Sequence, residues 1–169
     1  MTKNLFVVVL LAATSSVAAS EPDPRERLAA VAKMVDELRP RVGVSVSMIV
    51  NSGIPIERHP VATGRVRGEL TIIFSDEVLA GVSDEAMRAI VAHELAHVKL
   101  GHIDLKKGQL SAEKIAECEK EADRLASSLV GKDAVVNMIR ALDLVMKNNN
   151  LEKAWTRRAI ADRIHALED

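Results

Sequence analysis

The chain has 169 residues, 48% of them hydrophobic but only 2% aromatic, with two Phe, one Trp and no Tyr. Its 23 basic and 24 acidic side chains leave a formal net charge of −1. That balance excludes a module that neutralises phosphates with a basic surface and stacks bases on aromatic rings, so no nucleic-acid partner is expected. The length suits one domain with an aliphatic core of its own.

Residues 1–20 read MTKNLFVVVLLAATSSVAAS: one early Lys, an apolar run from Leu5 to Ala13, then small residues around Val17, Ala18 and Ala19. This is the pattern of a signal peptide, with cleavage expected after Ala19 and a single domain over 20–169. The apolar run falls short of the roughly 20 residues a membrane-spanning helix needs. The expected product is exported, periplasmic or secreted, with no stable membrane insertion after cleavage. Cys118 is the sole cysteine, so no intramolecular disulfide can form. Glu117 and Glu119 beside it disfavour a thiolate, and it is expected as a small core residue on a helix.

Pro22 and Pro24 suit a helix start, and Leu28, Val31, Val35 and Leu38 recur at helical spacing, so a helix is predicted over 21–39 with Pro40 as its stop. Residues 42–50 alternate, with Val44, Val46 and Met48 in phase, and read as a strand. Asn51 to Gly53 is a turn signal, and the polar, Gly- and Pro-punctuated residues 54–68 read as a loop or irregular hairpin. Glu69 to Phe74 reads as a second strand. From there the pattern is helical: a short helix over 76–80, one capped by Ser83 that ends near Gly101, one capped by Ser111 that closes near Gly131, one over 133–146, and a last one over 152–167 carrying Trp155, Ile160 and Ile164. The elements together predict an α+β, mostly helical domain.

The chemistry is concentrated in Ile90 to Val98, where His93-Glu94-Leu95-Ala96-His97 sits within a strongly helical apolar run. Residues four apart share one helix face, so two imidazoles at this spacing can grip one Zn²⁺. A Glu beside the first is placed to take a proton from a zinc-activated water. A catalytic zinc needs a third protein ligand. His102 is nine residues from His93, half a turn out of phase, and follows a Gly that ends the helix. The acidic run from Glu117 to Asp123 supplies other candidates. Glu119 and Glu121 flank the apolar stripe of that helix about equally, so phase does not choose between them. Only Glu119 has an acid four residues on, Asp123, which would accept a hydrogen bond from a ligating His.

The block from Asp84 to His102 resembles the active-site helix of the HtpX-like and CAAX prenyl protease-like zinc metalloendopeptidases, of the gluzincin group. The run Glu119-Lys120-Glu121-Ala122-Asp123 resembles that family's E-x-x-A-D signature. The resemblance covers about residues 42–168. It implies a zincin-like domain with a small antiparallel sheet packed on the active-site helix. It also implies one Zn²⁺ per chain held by His93, His97 and Glu119, with Asp123 behind the ligands and Glu94 as the base. The strand Leu70–Phe74 resembles the edge strand beside which a polypeptide substrate lies. Relatives often carry a His-Pro a few residues before an Arg-Ile pair in the last helix. Here Arg163 and Ile164 are kept, but Arg157 stands where the His would be. With no Tyr in the chain, Arg163 and Arg157 are the candidate donors to the oxyanion. The expected activity is zinc-dependent hydrolysis of peptide bonds. The alternative is a zinc-holding regulatory or chaperone-like module that cleaves little, or an enzyme kept latent by residues 21–39 or 54–68 over its cleft.

Overall fold

The computed structural model describes residues 24–105, 110–151 and 157–168. The expected leader, Trp155 and the expected start of the last helix at residue 152 lie outside the described residues, as does the side chain of Arg157. The described residues form six helices and a three-stranded sheet: α1 (Pro24–Val42), β1 (Ile49–Ser52), β2 (Val61–Val66), β3 (Glu69–Phe74), α2 (Asp76–Gly81), α3 (Asp84–Lys99), α4 (Ala112–Val130), α5 (Lys132–Asn148) and α6 (Arg157–Glu168). A single 3₁₀ turn, His102–Asp104, follows α3. The domain is α+β and mostly helical, as the sequence pattern predicts. Among the described residues no helix is long and apolar enough to cross a membrane.

α3 is the central element and packs on α1, α4 and α5. Its sequence explains why it can be wrapped on so many sides. Ala86, Ala89, Ala92 and Ala96 are buried and small, so neighbouring helices approach closely, while Met87, Ile90, Val91 and Leu95 fill the space between them. The Ser83 hydroxyl accepts from the Ala86 N–H at one end, and Gly101, at φ 73, turns the chain away at the other. The core is aliphatic, as the composition demands, with Phe74 as its one fully buried large aromatic ring among the described residues.

α1 runs through Pro40, the residue expected to stop it, and ends at Val42. Pro40 lies in the last turn, where its missing N–H costs one bond only. The end is closed by Gly43 at φ 75: its N–H bonds the Pro40 carbonyl at 3.0 Å and the Val44 N–H bonds the Arg39 carbonyl at 3.0 Å. This is the Schellman pairing. Val31, Val35 and Leu38 face the core at 0–1% exposure, so α1 is a core helix rather than a removable cover.

The sheet differs from expectation in three ways. The strand expected over 42–50 is present only as Ile49–Ser52. The Ser45 and Val46 carbonyls accept from the Arg39 guanidinium, and Val46 is 51% exposed; the alternation there has no partner strand to pair with. Residues 61–66, expected in a loop or irregular hairpin, form β2, a regular strand that makes a hairpin with β3 through Arg67 (φ 53) and Gly68 (φ 88). Two positive φ angles in succession suit a tight hairpin turn. Finally, the sheet is mixed rather than antiparallel. Its order is β1-β3-β2, with β1 parallel and β2 antiparallel to β3. The strand over 70–74 is therefore central, bonded on both sides, and cannot be the edge along which a substrate lies. β1 and β2 are the two edges.

Leu95 is fully buried on the side of α3 opposite the two histidines. Leu95→Ala is expected to lower stability by about 2–5 kcal/mol, read as an earlier urea unfolding midpoint with an unchanged slope.

Candidate metal centre

α3 carries His93 and His97 one turn apart, α4 carries Glu119 and Asp123 one turn apart, and α6 carries Arg163. Close packing of α3 on α4, and of α4 on α6, brings the three helices' side chains together. The two imidazoles stand edge to face with centroids 4.6 Å apart. Their Nε2 atoms are 3.0 Å apart; Glu119 Oε2 is 3.4 Å from His93 Nε2, and Glu119 Oε1 is 3.5 Å from His97 Nε2. A tetrahedral zinc with bonds of about 2.0–2.2 Å needs neighbouring ligand atoms roughly 3.3 Å from one another, so the spacing fits. Two imidazole nitrogens and one carboxylate are also a donor set that zinc accepts. Of the two acids that helical phase left open, Glu119 is the one that joins both histidines.

Behind these atoms lies a buried charged layer. Arg163 is 7% exposed and donates from Nε and Nη2 to Asp123 Oδ2 and Oδ1, both at 2.7 Å. Its Nη1 is 3.1 Å from Glu119 Oε2. All three guanidinium nitrogens thus face carboxylates. Arg163, a candidate oxyanion donor from the sequence, lines the cleft and is bonded to the carboxylates behind the ligand atoms. Asp123, 1% exposed, places Oδ1 2.9 Å from His93 Nδ1.

The electrostatics follow from that layer. Burial works against a charged His93, but the Asp123 and Glu119 carboxylates outweigh it and raise its pKa to about 9. Burial also opposes ionisation of Glu119, yet the two histidines and Arg163 hold it well below the ordinary carboxylate range. Asp123 is lowered in the same way, against its burial, by Arg163 and His93. Two carboxylates, buried Asp123 and half-buried Glu119, face one guanidinium, which leaves one negative charge over. A proton on His93 or a bound cation neutralises that surplus, a second sign that the donor set suits a metal.

His102 is not brought to the three ligand atoms. Gly101 turns the chain so that His102 Nδ1 lies 3.0 Å from His97 Nδ1, on the far side of that ring. Cys118 is buried, and burial is the main cause that raises its thiol pKa; the neighbouring acids named from the sequence add less. Glu94 is half-buried and lines a cleft of about 900 Å³. β2 contributes Val61 to Thr63 to one wall, and Ile90, Met138, Leu142 and Met146 form an aliphatic wall. Of the segments considered as covers, residues 57–60 line this cleft.

Residues 60–116 match the family model of Peptidase family M48. The match supports a metallopeptidase of that family. It spans β2, β3, α2, α3 and the start of α4, including His93, Glu94 and His97, and ends before Glu119. The roles of Glu119, Asp123 and Arg163 therefore rest on geometry. No curated protein and no solved structure matches the chain.

The raised pKa of His93 has a sign that can be checked on metal-stripped protein. A group with a folded value of about 9 against an ordinary 6.5 contributes stability that is complete below about 6.5 and lost as pH rises through about 9. The thermal midpoint of chelator-treated protein is expected to fall between these limits, and the fall to be absent in His93→Gln. A midpoint that rises over the same range would contradict the charged layer.

Proposed function

We propose that the chain is a zinc-dependent metalloendopeptidase, with one Zn²⁺ held by His93, His97 and Glu119, that hydrolyses exported proteins or peptides. The observation that carries this reading is the convergence of both Nε2 atoms and the Glu119 carboxylate beside Glu94 at the cleft, within and next to a segment that matches a peptidase family. A zinc ion bound there supplies Lewis acidity to a water and to the scissile carbonyl. Glu94 is the general base: its carboxylate takes a proton from the attacking water and returns it to the amine nitrogen as the peptide bond breaks. Arg163 and Asp123 keep the Glu119 and His93 side chains in place. Among the described residues β2 is an edge strand and lines the cleft, so an extended substrate would add to the sheet there. The aliphatic wall accepts apolar side chains. The signal-like leader supports export as the setting.

Glu94→Gln is expected to retain one zinc per chain while peptide cleavage falls about 10²–10⁴-fold. The pair of measurements is metal content and a cleavage profile on a peptide library, on wild type and variant. Cleavage that persists in Glu94→Gln would contradict the assignment of the base. Stoichiometric zinc in a wild type that cleaves nothing in the library would favour the zinc-holding regulatory module instead.

A further inference from the structure

A second line of polar contacts runs outward from His97. Its Nδ1 lies 3.0 Å from His102 Nδ1, and His102 Nε2 lies 3.0 Å from Glu121 Oε2. The two rings are 5.1 Å apart at 64°. The His102 side chain is 10% exposed and that of Glu121 is 39% exposed, so the line leads from the buried centre to the surface. The inference rests on the metal-centre reading above. We propose that His102 and Glu121 are positioning residues that fix the ring and the tautomer of His97.

The direction of every link follows from the inventory of donors and acceptors. A metal ligated through Nε2 takes that lone pair of His97, so the ring proton sits on Nδ1 and donates outward. His102 Nδ1 must then accept. Its own proton sits on Nε2 and donates to Glu121, whose carboxylate can only accept. No link has a second choice of role. The two ligating histidines are thus backed differently. His93 faces a buried acid directly, whereas His97 is held through an imidazole that ends on a half-exposed acid. Local structure explains the pairing. Gly101 at φ 73 breaks α3 one turn after His97 and returns His102 to it, and Glu121, two residues beyond Glu119, leaves α4 toward that turn.

Cys118 lies close to His102 and Glu121, with ligand atoms of all three within 4.8 Å of one another, which raises the rival reading of a second cation site. The tautomers decide between them. With His97 ligated, a cation on His102 Nε2 would leave that imidazole with both nitrogens committed as acceptors, an imidazolate. The relay instead keeps a proton there.

The test combines ring ¹⁵N correlation spectra with zinc affinity measured by competition against a chromophoric chelator, on the full chain. In zinc-loaded wild type, His97 is expected to carry its proton on Nδ1 and His102 on Nε2, at one zinc per chain. His102 protonated on Nδ1, or a second zinc with loss of the Nε2 proton, would overturn the relay. His102→Ala is expected to weaken zinc binding about 10–100-fold. His102→Gln, whose amide can accept from His97 and donate to Glu121, should restore most of that loss. Equal affinity in wild type and His102→Ala would overturn the relay and leave the metal centre standing. A wild type that takes up no zinc would bring down both.

Discussion

The buried Arg163 guanidinium is the interaction on which the rest of the site depends. It reaches from α6 to two carboxylates on α4, and through them to both histidines of α3. Two acids one helical turn apart would repel each other in a dry interior, and neither would stay ionised alone. A planar cation with a fixed fork of donors satisfies both at once. The cost of burying the pair is met by bonds on every nitrogen. Removing one partner of such a buried pair strands the other, which typically costs about 3–5 kcal/mol. The same cation that secures α6 to α4 therefore also aims Glu119 and Asp123.

Two other features of the fold serve this arrangement. α3 is wrapped by three helices because its alanines allow close approach, and that rigidity places two imidazoles within half an ångström of a spacing zinc accepts. The α3 terminus then matters twice. Its Gly ends the helix, and by doing so it brings a third imidazole to the outer face of His97. The polar layer is confined to one side of α3, while the opposite side is aliphatic and supplies the stability.

The local parts of this account were legible in the sequence, and the long-range parts were not. His93, Glu94 and His97 follow from helical periodicity, since i and i+4 share a face whatever surrounds them. Glu119 against Glu121 could not be settled by phase, because both flank the same stripe; how α4 lies on α3 settles it, and the geometry uses both acids, one on each side of His97. Arg163 stood out as half of the Arg-Ile pair that the resemblance points to, but its carboxylate partner did not. Its partner is 40 residues away, and no periodicity links them. β2 was left between loop and irregular hairpin because its Gly and polar residues resemble a loop, and its identity as a strand comes from pairing with β3. Residues 43–48 showed the converse: a clear alternation with no neighbour to bond it.

Zinc X-ray absorption on the loaded wild-type chain tests the central claim most directly, because it reports the donors themselves. His93, His97 and Glu119 together predict a first shell of nitrogen and oxygen only, at about 2.0–2.2 Å, with the outer scattering of two imidazoles. A sulfur scatterer near about 2.3 Å would place the ion at Cys118 with His102 and Glu121, and would contradict the centre described here.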